Sequence, residues 1–166
     1  MKSAALTVLL MIIPTLSLAQ IPVSLSPDQQ QMLKSQDGEL QRNKTLVYDF
    51  VREVLEARHV ELTPKFVTKD YIQHNPVVPT GRKAFMKFFA ALGSPIEIQP
   101  TIQEPVIAIV AEKDLVIISF VVKKQEPAKR GFYTTTAFDM FRIENGLIAE
   151  HWDSELNSAD LNCVLL

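Results

Sequence analysis

The sequence predicts an α+β domain with its helices first and an antiparallel sheet after them. Three observations carry this. Before about residue 95 the apolar residues recur with a helical period. From there to about residue 155 the chain reads as β-branched and aromatic runs broken by turns. Those runs succeed one another without intervening helices, which excludes a doubly wound parallel sheet. With 166 residues the chain has the length of one domain.

The elements run in order. Residues 1–19 read as a secretory leader: Lys2, an apolar stretch from Ala4 to Leu18, and Ser17-Leu18-Ala19 as a small-x-small cleavage site, with Gln20 as the new N-terminus. Pro14 and the short length argue against a membrane span. Residues 20–38 form an N-terminal extension in which Ser26 and Pro27 are expected to start a helix. From Glu39 to Arg58, Leu46, Phe50, Val54 and Leu55 mark a helical stripe, flanked by Val47 and Val51. Thr63-Pro64 suggests a further short helical turn, and "TKDYIQHNPVVPTG" is expected to be a loop. "RKAFMKFFAAL" then forms a helix carrying Phe85, Phe88, Phe89 and Leu92, stopped by Gly93. Strands are expected at Val106–Val110, Leu115–Val122, Tyr133–Ile143 and Leu147–Ser154, the last two joined around Asn145-Gly146.

Composition narrows the function. Without Lys2 the chain carries 16 basic and 19 acidic residues, which leaves no electrostatic footprint for nucleic acid. After the leader no apolar run approaches membrane-span length, so the mature form is expected to be secreted or periplasmic, off the membrane. Cys163 is the single cysteine, so an intrachain disulfide is impossible. The terminal Cys163-Val164-Leu165-Leu166 matches a prenylation pattern, but that cytosolic reaction conflicts with a leader that sends the chain elsewhere. Residues 157–166 read as a tail.

Three phrases, "YIQHNP…GRKAFMKFF", "EPVIAIVAEKDLV" and "FDMFRIENGLIAEHWD", resemble the SnoaL-like polyketide cyclase family over roughly residues 40–155. The resemblance implies a nuclear transport factor 2-like cone over residues 39–156, in which a curved antiparallel sheet wraps around helices and a pocket lies at the open end. It also implies a homodimer, a small apolar carbonyl ligand or substrate, and acid–base chemistry by an acidic residue without metal or cofactor. The family's acid/base position in the final strand corresponds to Asp153. The same fold also serves relatives that only bind, so fold alone does not fix function.

The residues themselves offer candidates. Proton removal beside a carbonyl needs a base and a donor for the enolate oxygen. Strand alternation puts His151 and Asp153 on one face and Glu150 and Trp152 on the other. A three-residue loop with Gly146 in a bulge would set Asp139 opposite His151, with Phe141 on the same face; a two-residue turn would set Met140 there instead. The first arrangement is expected, giving Asp139, His151 and Asp153 as one cluster. His74 is expected to open into the same cavity, stiffened by Pro76 and Pro79, and Tyr71, Gln73, Phe85, Phe89 and Phe141 are candidate ligand contacts. A set of His74, His151 and Asp153 could bind a metal, but it lacks a local spacing motif, and none is expected. Three readings stay open: a cofactor-free cyclase, lyase or isomerase, a module that binds without turnover, and a dimeric interaction domain with a filled cone.

Overall fold

The computed structural model describes residues 25, 28–126 and 131–153. The expected leader, its cleavage site, Ser26-Pro27 and the Cys163 tail lie outside them. The first described helix, α1 (Gln29–Leu33), is capped by Asp28, whose carboxylate accepts from the Gln31 N–H. Helix α2 (Gly38–Phe50) is capped by Asp37, which accepts from the N–H groups of Glu39 and Leu40 at 2.7 and 3.2 Å. It runs on as one wide π-helical turn, Val51–Glu56. The expected stripe is buried along its centre: Val47, Phe50, Val51 and Val54 are at most 1% exposed. A 3-10 turn, Val60–Lys65, begins at His59 and contains Pro64. Thr63 does not cap a new helix here, since its hydroxyl donates back to the Val60 carbonyl.

The segment read as a loop is partly a strand. Residues Val67–Gln73 form β1, whose Val67 and Tyr71 are buried. The Pro and Gly punctuation belongs to the connection after β1, where Pro76, Pro79 and Gly81 shape the path to α3 (Arg82–Ala90). The polar run Thr68-Lys69-Asp70 disguises β1, which is an edge strand with its polar residues turned outward.

Strands β2 (Val106–Glu112), β3 (Leu115–Glu126), β4 (Gly131–Glu144) and β5 (Leu147–Asp153) complete a five-stranded sheet in the order β1-β5-β4-β3-β2. All pairs are antiparallel except β1 with β5. The inner face packs Ile109, Val116, Ile118, Phe120, Phe141 and Ile148 onto the helices. Phe50 lies at the centre, about 6 Å ring to ring from Phe66, Phe85 and Phe141. Each such side chain contributes roughly 1.5–3 kcal/mol by leaving water. Among the described residues no helix is long and apolar enough to cross a membrane.

The β4–β5 register corrects the expected one. Glu144 pairs with Leu147, and Asn145 and Gly146 both have positive φ (52° and 76°), a two-residue type I′ turn. The extra residue sits further along, where the pairing slips between Ile143 and Arg142, and Ala149 is the residue without a partner. His151 therefore faces Phe141, and Asp139 faces Asp153. Beyond the bulge the displacement from the expected pairing is two residues, so His151 and Asp153 keep their face; between the turn and the bulge it is one, so Ile148 rather than Leu147 faces inward with Ile143.

Candidate functional site

The site forms where β1, β4 and β5 meet under the helices. Alternation along β1 and the residues after it sends Tyr71, Gln73 and Asn75 inward, toward β5. β5 contributes His151 and Asp153, and β4 contributes Asp139 and Phe141. The side chains of Asp139, His151 and Asp153 are 9–12% exposed.

Hydrogen bonds fix the orientation of each group. The Asn75 N–H donates to Gln73 Oε1 at 3.0 Å, which identifies that atom as the oxygen. His151 Nδ1 lies 2.9 Å from the same oxygen and must therefore carry a proton and donate it. The other ring nitrogen, Nε2, lies 3.3 Å from Asp139 Oδ1. Asn75 Oδ1 accepts from the Val77 N–H, which turns its amide Nδ2 onto Asp153 Oδ2 at 2.7 Å. His151 Nδ1 is 3.9 Å from the same Asp153 oxygen, and its ring lies 4.6 Å from Phe141. Tyr71 Oη accepts from Gln73 Nε2 at 3.1 Å. Burial, and after it the charges of Asp139 and Asp153, push the Tyr71 phenol far up, so it stays an O–H.

These groups border a cavity of about 20 Å³ lined by Tyr71, Gln73, Phe85, Phe89, Phe141, His151 and Asp153, with Phe50, Leu55 and Val78. The volume suits one or two waters. All five residues expected to contact a ligand reach this cavity, as do His151 and Asp153. Asp139 joins through His151. One ligating atom from each of Asp139, His151 and Asp153 lies within 4.8 Å of the others, so these are the described residues that could hold a cation.

His74 does not belong here. Its ring stacks on Trp152 at 4.6 Å and 6°, and its Nε2 lies 3.0 Å from Glu150 Oε2. Both partners are on the outer face of β5, and the His74 side chain is 41% exposed. The reason is alternation: Gln73 faces the cavity and Asn75 faces Asp153, so the residue between them cannot. The inward-facing groups of "QHN" are the two amides. A loop carries no alternation, so the sequence of this segment does not single out Asn75.

The curved sheet packed on helices is shared with known proteins. The SnoaL-like domain family matches residues 47–151, more than half of the chain. The chain belongs to that family. No curated protein matches it. Among solved structures, a proposed SnoaL-like polyketide cyclase from Jannaschia sp. CCS1 is 15% identical, covers 79% of this chain and 94% of its own, and superposes with a TM-score of 0.51. A proposed polyketide cyclase from Acidithiobacillus ferrooxidans is 14% identical, with coverage of 72% and 89% and a TM-score of 0.50. A de novo designed protein with a curved β-sheet is 14% identical, with coverage of 80% and 94% and a TM-score of 0.51. At these identities the likeness is one of fold, and a designed protein shares it equally with the cyclases.

Proposed function

We propose that the cone is a cofactor-free acid–base site for a small, largely apolar carbonyl compound, of the aldol-type cyclase, lyase or isomerase kind. The observation that carries this reading is the buried cluster of Asp139, His151 and Asp153 beside an apolar cavity. Burying ionisable groups is costly, and well-packed apolar residues would serve stability as well or better. Such clusters are candidate functional sites for that reason. Asp153 takes the proton from the carbon beside the carbonyl. The electron pair moves onto the carbonyl oxygen, where the Tyr71 O–H donates to it. The His151–Asp139 pair then supplies a proton to the oxygen or carbon that the reaction leaves basic. A substrate enters only when the cavity widens, since 20 Å³ does not admit one.

The test is exchange of deuterium from solvent into the α-carbon of a panel of small apolar ketones, monitored by NMR. The wild-type chain and His74→Ala are expected to exchange at least one panel member, whereas Asp153→Asn is not. Equal exchange by wild type and Asp153→Asn would remove the assignment.

The near-filled cone favours a second reading, an interaction domain without turnover. In that case Asp153→Leu should raise stability, and no ketone should exchange. For either reading we propose a second copy of the chain as partner. Trp152, Met140, Ile117 and Val110 form one cross-strand row on the outer face, and Val110 and neighbouring Phe138 are more than half exposed. Val110→Lys with Phe138→Lys should yield monomers by light scattering. Export by the residue 1–19 leader is likewise a proposal, tested by N-terminal sequencing of exported protein.

A further inference from the structure

A second cavity, of about 220 Å³, lies on the other side of Leu55, which lines both. Its walls are the end of the helical stretch, Arg52 to Arg58, and residues 96–104. The two walls are tied together. The Ile96 N–H donates to the Ala57 carbonyl at 2.9 Å, and Glu56 accepts from the N–H groups of Gln103 and Glu104 at 2.9–3.1 Å.

Two charged groups in this cavity lack partners among the described residues. Arg58 has φ 61°, the left-handed region that disfavours a side chain, and glycine would be the ordinary residue at this helix end. Its guanidinium lies over Gly93, where a Cβ would come within 2.6 Å of Arg58 Nη1. Its Nε is buried without a hydrogen-bond partner, and among the described residues no carboxylate pairs with it. The half-buried Glu104 carboxylate also makes no hydrogen bond or ion pair among the described residues. Burial, and after it the charge of Glu56, raise its proton affinity, as befits a carboxylate short of a cation. Arg52 is not that cation, because it is taken up by Asp49, Glu53 and the Gln99 carbonyl. An arginine and a carboxylate thus share one cavity, each uncompensated. A backbone strained to place a charged side chain points from geometry to function.

We propose that this cavity binds a small zwitterion, with its carboxylate against Arg58 and its ammonium against Glu104. A simple anion fits less well, because Glu56, Glu97 and Glu104 border the same space. A simple cation leaves the strained arginine unexplained. A guanidinium pairs with a carboxylate through two parallel hydrogen bonds, and the carboxylate of Glu104 accepts from an ammonium. The volume suits a free amino acid.

The test is calorimetric titration of the full chain with L-leucine, acetate and n-butylamine as probes. Leucine is expected to bind at millimolar concentration or tighter, and each half-probe about tenfold more weakly or not at all. Arg58→Gly is the informative variant. It relieves the left-handed backbone, so it should melt no lower than wild type while losing leucine binding about tenfold or more. Glu104→Gln should weaken leucine but leave acetate unchanged. Leucine binding that survives Arg58→Gly, absence of leucine binding in the wild type, or acetate binding as tight as leucine would each overturn the proposal.

Discussion

Replacing Phe85 by alanine tests whether the cone is filled by its own aromatic residues. Phe85 is 2% exposed, and its ring packs 4.3 Å from Phe89, 5.7 Å from Tyr71 and 5.9 Å from Phe50, centroid to centroid. A buried aromatic side chain removes about 150–250 Å² from water. At about 25 cal/mol per Å² that is roughly 4–6 kcal/mol, of which the alanine methyl retains part. The ring-edge contacts add about 0.5–1.5 kcal/mol each, and incomplete collapse leaves a cavity. The expected loss is about 3–5 kcal/mol, a large share of the roughly 5–15 kcal/mol that holds such a domain together. Urea unfolding monitored by circular dichroism measures it as a lower midpoint at unchanged slope. The hole opens onto the existing cavity beside His151 and Asp153, so benzene should raise the melting temperature of Phe85→Ala but not of wild type. A cost below about 1 kcal/mol, or equal stabilisation of both proteins by benzene, would mean that the cone already stands open, and the packing argument would fail.

Two further outcomes rest on features of the sheet and the second cavity. Deleting Ala149 removes the unpaired residue of β5 and leaves a regular ladder in which Glu150 still faces Arg142 and His151 still faces Phe141, so the chain should keep a cooperative unfolding transition by calorimetry; loss of that transition would refute the bulge. Glu104 ionises near its ordinary value when unfolded and above it when folded, so its penalty on stability is absent below pH 4.5, grows as the pH rises toward the folded value, and is constant beyond. Glu104→Gln should therefore be more stable than wild type at neutral pH, with the difference vanishing under acid; a constant difference across the range would refute the assigned cause.

The two periodicities made the architecture legible in the sequence, because each reports which side of an element is buried. The cluster of Asp139, His151 and Asp153 was legible for a narrower reason. Strand side chains alternate with period two, so the two-residue displacement of the register left all three on one face. A displacement of one would have dispersed them. The turn type and the bulge at Ala149 were not legible, since Asn-Gly suits both the type I′ turn and the longer bulged loop, and a small alanine in a strand gives no signal of being unpaired. β1 was missed because an edge strand needs only one buried face, and its tertiary partner lies some 80 residues further along. With β1 went His74 and Asn75: a histidine attracts chemical interpretation by its type, whereas its direction depends on the strand it ends.

The sheet order also has a consequence in time. β5 is the last of the described strands to be synthesised, yet it lies between β1 and the β3–β4 hairpin. Until residue 153 has left the ribosome, β1 has no neighbour, and Gln73 and Asn75 have nothing to orient. A nascent or truncated chain ending before β5 can form the helices and the local β2–β3–β4 meander, but it presents two open strand edges and an uncovered core. Closure depends on a contact between distant parts of the chain, and contacts of that kind slow folding. The acidic cluster therefore comes into existence together with the completed fold, and no partly made chain carries it.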